Sequence, residues 1–85
     1  MQYGQKEKLI EKLLRRPKDF TFEEAISLLE YLGFQKSNKG KTSGSRVRFR
    51  NGSLVINMHK PHPRKELLDY QIRDLIDVLK EGDLI

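Results

Sequence analysis

Leu9, Ile10, Leu13 and Leu14 recur at i, i+1, i+4 and i+5 within Lys6 to Arg16, so they share one stripe of a helix that Pro17 stops. A helix this short needs a partner for its stripe. The next helix is predicted to start at Thr21. Its hydroxyl can accept from the third helical amide while Glu24 reaches back, and the apolar set Ala25, Leu28, Leu29 and Leu32 follows. Gly33 supplies a left-handed stop. Phe34 to Ser37 could open a strand. Arg46-Val47-Arg48-Phe49-Arg50 alternates strictly, Asn51-Gly52 is a strong hairpin dipeptide, and Ser53 to His59 supplies the returning strand. Lys60-Pro61-His62-Pro63 is an extended turn, because each proline holds its predecessor out of the helical region. Beyond it, Leu68, Ile72, Leu75, Ile76 and Leu79 lie on one face of a last helix, with Gly82 as its stop and Asp69–Arg73 as a surface i,i+4 pair.

With Asn51 and Gly52 as the two-residue turn, Arg50 faces Ser53, Phe49 faces Leu54, Arg48 faces Val55, Val47 faces Ile56, Arg46 faces Asn57 and Gly44 faces His59. Val47, Phe49, Leu54, Ile56 and Met58 then form the core face, while Arg46, Arg48, Arg50, Asn57 and His59 point the other way. Only the first face is apolar enough to receive helices. The expected fold is α+β: a three-stranded antiparallel sheet with helices on one face, in the order α-α-β-β-β-α. Residues 1–20 form an extra N-terminal helix and residues 21–85 the main unit, in a single compact domain.

An 85-residue chain with 36% hydrophobic residues has material for one core and none for a cleft between lobes, which excludes a large multi-substrate enzyme. The absence of cysteine removes disulfides, thiolate metal sites and thiol catalysis, and makes a cytoplasmic location the natural expectation. No apolar run approaches the roughly 20 residues of a membrane span.

Charge changes the picture more. Residues 1–30 carry six basic and six acidic side chains. Residues 31–65 carry nine basic ones (Lys36, Lys39, Lys41, Arg46, Arg48, Arg50, Lys60, Arg64, Lys65) and no acid, and the remainder carries two basic and six acidic. Signs separated this way point to a polyanion, since mixed signs would serve solubility equally well. Nucleic acid is the first reading, and a solvated basic surface or an acidic protein partner the second. A lipid surface fits less well, because the basic block does not read as an amphipathic helix.

Arginines at alternate strand positions stand roughly 7 Å apart, near the spacing of successive phosphates, and a guanidinium can bind phosphate oxygens bidentately. Arg46, Arg48 and Arg50 are therefore candidate RNA contacts, with Asn57 beside them. Asn38 to Ser45 is a glycine- and serine-rich loop that either brings Lys39, Lys41 and Ser45 to a ligand or is a plain hairpin connection. Lys60, His62, Arg64 and Lys65 extend the basic set. The open face lacks a pair of aromatic platforms, which favours backbone or shape readout over base stacking. Only His59 and His62 suit proton transfer near neutrality. His59 is the candidate catalytic base, a diagonal neighbour of Arg46 at a Cβ separation of roughly 7–8 Å, unless it is an idle strand-end histidine. No metal-ligand cluster, P-loop or dinucleotide fingerprint is present, so no cofactor is implied.

Three segments together resemble the HicA family of small toxin ribonucleases over about residues 21–82. They are Leu29-Glu30-Tyr31-Leu32-Gly33-Phe34, Gly44-Ser45 followed three residues on by Phe49, and His62-Pro63-Arg64-Lys65-Glu66-Leu67. The resemblance implies a double-stranded-RNA-binding-domain-like fold, mRNA as substrate, endoribonuclease activity without metal, and a HicB antitoxin as partner. In that family the Gly-Ser pair is followed by the histidine regarded as catalytic, and here that position is Arg46. Either cleavage is lost and a nucleic-acid-binding or protein-interaction module remains, or His59 substitutes. The helix before Pro17 is extra relative to the shortest members; it could cover a core edge or make a homodimer contact.

Overall fold

The structure is a computed structural model and describes residues 4–37, 46–61 and 63–85. Helix α1 (Gln5–Leu14) buries Leu9 and Leu13 as its apolar spacing requires. It ends short of the predicted Arg16. Arg16 takes a positive φ of 52°, ahead of a proline that already disfavours helix at that position. Helix α2 (Phe22–Tyr31) opens with the expected reciprocal cap: the Glu24 amide donates to Thr21 Oγ1 at 3.1 Å, and the Thr21 amide donates to Glu24 Oε1 at 2.9 Å. It closes at Gly33, φ 91°, where the amides of Gly33 and Phe34 donate to the carbonyls of Glu30 and Leu29.

Three antiparallel strands follow in the spatial order β1 (Gln35–Ser37), β2 (Arg46–Asn51), β3 (Leu54–His59). Helix α3 (Asp69–Glu81) packs Ile72, Leu75, Ile76 and Leu79 into a core shared with α1, α2 and the Phe49, Ile56 and Met58 side of the sheet. The α+β order α-α-β-β-β-α is as the sequence predicts. α1 covers a core edge: Leu13 and Phe20 are fully buried.

The hairpin register is shifted from the expected one. Asn51 pairs with Leu54, Arg50 with Val55, Phe49 with Ile56, Arg48 with Asn57, Val47 with Met58 and Arg46 with His59, so the turn residues are Gly52 and Ser53. Asn51 is drawn into the strand because its side-chain amide donates to the Leu32 carbonyl at 3.0 Å, satisfying an orphan acceptor at the end of α2. Gly52 then supplies the positive φ, 61°, that a two-residue turn with glycine first requires. The slip is two residues, an even number, so every side chain keeps its predicted face.

Gly82 is the C-cap of α3, but the left-handed residue is Asp83, φ 57°. Glycine at 82 answers a steric demand instead: a Cβ there would collide with the Leu54 side chain. The expected Asp69–Arg73 ion pair does not form; among the described residues Asp69 stands in the first turn of α3 with no such partner.

Two polar devices hold the helices together. Residues 20–22 run against 65–67, with the Leu67 amide donating to the Phe20 carbonyl at 2.8 Å and the Phe22 amide to the Lys65 carbonyl at 2.9 Å. Lys12 Nζ bonds both Glu24 oxygens, at 2.9 and 3.0 Å, and sits 5.8 Å from the Phe20 ring centre. Partial burial alone would raise the Glu24 pKa, but the Thr21 amide and the Lys12 ammonium outweigh it and hold the carboxyl below its ordinary value.

A carboxyl depressed on folding contributes stability that is complete above its unfolded pKa of about 4.3 and lost as pH falls through the folded value. Glu24→Gln keeps an acceptor for the Thr21 amide and removes the charge. Thermal melts across pH should therefore show the variant below the parent near neutrality, the gap closing as both are taken through the acid range. A gap constant down to the acid limit would show that charge at Glu24 contributes nothing.

Candidate nucleic-acid interface

The sheet face away from the helices is built by alternation. A two-residue turn makes Asn51–Leu54 a hydrogen-bonded pair, so Arg50–Val55, Arg48–Asn57 and Arg46–His59 are the non-hydrogen-bonded pairs, where Cα atoms approach to roughly 4.5 Å and side chains lie closest. His59 is thus directly opposite Arg46, nearer than the diagonal relation expected from the unshifted register. Strand β1 adds Gln35 beside Arg50 and Ser37 beside Arg48. Arg46, Arg48, Arg50, Asn57 and His59 are all exposed.

Arg48 Nε donates to Asn57 Oδ1 at 2.9 Å, which orients the guanidinium and uses one of its five N–H donors. Among the described residues, no carboxylate comes within ion-pair distance of Arg46, Arg48 or Arg50. A row of exposed cations without counter-charges is electrostatically complementary to an extended anion.

The remaining predicted contacts divide. Lys60 follows β3 directly and is exposed. Lys65 opens the strap running against residues 20–22, and Arg64, just before it, donates from Nε to the Glu66 carbonyl at 3.0 Å and lies 4.0 Å from its carboxylate. Lys39, Lys41, Ser45 and His62 lie outside the described residues.

Two residues on α3 escaped the sequence reading. Gln71 is the one buried polar side chain among the described residues: its Nε2 donates to the His59 carbonyl at 2.8 Å and its Oε1 accepts from the Leu68 amide at 2.9 Å. It fixes the end of β3 to the start of α3, and hence the backbone that carries His59. Its signal was legible, since position 71 falls within the stripe of Ile72, Leu75 and Leu79. Tyr70, half exposed, lines a cavity of about 140 Å³ between β3 and α3. Among the described residues there is no group of three His, Asp or Glu suited to a metal ion, and no helix is long and apolar enough to cross a membrane.

A helix-backed antiparallel sheet with one open, strongly basic face defines a small α+β domain. The chain belongs to the HicA family: the family model for the HicA toxin of bacterial toxin–antitoxin systems matches residues 22–82, well over half of its length. The match begins at α2 and ends at the cap of α3, leaving α1 outside it. No curated protein and no solved structure gives a significant match.

Proposed function

We propose that this toxin binds RNA across the open sheet face, with Arg46, Arg48 and Arg50 taking successive phosphates and Asn57 and Lys60 extending the track. The observation that carries this reading is the exposed arginine row on one strand, with no carboxylate in ion-pair range among the described residues, set in the stretch from 31 to 65 that holds nine basic residues and no acid. The same surface suits the family's antitoxin partner, a HicB-like protein that would present acidic groups to it.

The direct Arg46–His59 pairing favours a second step, cleavage. The neutral His59 imidazole takes the proton of an RNA 2′-hydroxyl; the 2′-oxygen bonds to the adjacent phosphorus, the bond to the 5′-oxygen breaks, and water protonates the leaving oxygen. The products are a 2′,3′-cyclic phosphate and a 5′-hydroxyl end. Arg46, which stands where the family's histidine is expected, offsets the charge gathering on the phosphoryl oxygens.

End-labelled RNA incubated with the protein in a chelator tests both steps on one gel. Cleavage is expected in the parent and is lost in His59→Ala, which still retards the RNA. Retarded but intact RNA with the parent would leave binding and remove the catalytic step. A complex with the antitoxin and no RNA affinity would overturn the whole proposal in favour of a protein-interaction module.

A further inference from the structure

We propose that the groove between β3 and α3 holds one unpaired RNA base bearing an exocyclic amino group; this rests on the RNA-binding reading above. Residues along β3 from Val55 to His59 form one side of the groove, and Tyr70, Asp74 and Val78 of α3 form the other. At about 140 Å³ it is smaller than the roughly 300–1,000 Å³ of sites for drug-sized molecules, and it has room for one flat ring system. Tyr70, 51% exposed, stands at the end of the groove where its neighbour Gln71 bonds the His59 carbonyl; Val55 lies at the other end, beside the Leu54–Gly82 contact. An exposed aromatic ring at the rim of a groove offers one face for a base to stack on, and such stacking is tolerant of base identity.

The polar groups decide what enters. Asp74 repels a phosphate, so the anionic backbone stays with the arginines and only a base can approach the carboxylate. A carboxylate accepts from an amino group such as cytosine N4, adenine N6 or guanine N2, and finds no amino donor on uracil.

Strand β3 is a sheet edge, and the His59 carbonyl points away from β2 to accept from Gln71. By the same alternation the backbone N–H and C=O of Val55 and Asn57 point outward too. Gln71 closes that edge at His59, leaving a free stretch too short to pair stably with an added strand but sufficient to hydrogen-bond a base edge. The Arg46–His59 pair lies at the same end, so one nucleotide can rest its phosphate there and its base against Tyr70.

Short single-stranded oligomers of cytidine, adenosine or uridine, and an abasic ribose-phosphate chain of equal length, provide the test by fluorescence anisotropy. The parent should bind the cytidine and adenosine oligomers more tightly than uridine. Tyr70→Ala should weaken the base-bearing oligomers about 5- to 150-fold, the range for losing one stacked base. Its affinity for the abasic chain and its melting temperature should stay unchanged, with Tyr70→Phe restoring affinity. Asp74→Ala should remove the preference over uridine. Equal weakening of the abasic chain, or no weakening anywhere, overturns the pocket, as does a Tyr70→Ala effect confined to antitoxin binding. Arg48→Ala separates the two failures. If it weakens every oligomer while Tyr70→Ala weakens none, RNA binding stands without the pocket; if the parent binds no oligomer, both fall.

Discussion

Replacing Arg46, Arg48 and Arg50 together by alanine should weaken RNA binding by at least about a hundredfold, taking about 1 kcal/mol for each exposed charged contact. The salt dependence should flatten as well. For single-stranded RNA each phosphate contact contributes roughly 0.7 to the slope of log affinity against log salt, so losing three should lower it by about 2. The fold should survive, because these side chains lie on the solvent face and surface changes of this kind stay within about 0.5 kcal/mol. Filter binding at several salt concentrations, beside a thermal melt, gives all three readings. An unaltered slope in a folded variant would mean that the arginine row touches no phosphate.

Leu13→Ala should cost about 2–5 kcal/mol, the range for emptying a fully buried leucine site. A chain of this size is stable by about 4–13 kcal/mol, so that loss takes a large share of the whole. The prediction separates two views of α1, the helix outside the family match. As part of one cooperative core, α1 transmits the loss to the single urea transition, whose midpoint falls with its slope unchanged. As an appendage, it would fray alone and leave the main transition in place. Leu14→Ala, at a neighbouring position that is 45% exposed, is the control and should move the midpoint little.

Periodicity was enough to place the three helices and the hairpin, and to sort side chains between the two sheet faces. The face assignment outlived an error in register because the error was even. What local pattern could not supply was any use of a side chain at long range. Asn51 reads as a turn residue until the end of α2 is seen to need a donor, and then it becomes a strand residue. Gly82 reads as a stop and is the C-cap of α3, but pattern alone does not show that its lack of a side chain also makes room for Leu54. The basic row was legible in Arg46 to Arg50 because a strand carries its own alternation. The groove was not, since Tyr70 and the end of β3 are brought together only by the packing of α3 on that strand.

The run of residues 20–22 against 65–67 carries a consequence for how the chain is made. The hairpin that bears the arginine row closes through local contacts. The strap, by contrast, joins segments separated by more than half of the sequence, and the core is incomplete until α3 arrives to fill it. Such high contact order delays the final folding step, which cannot occur on the ribosome before α3 has been synthesised and has cleared the exit tunnel. A nascent toxin therefore acquires its finished surface late, which leaves an interval of translation in which an antitoxin partner can already be present.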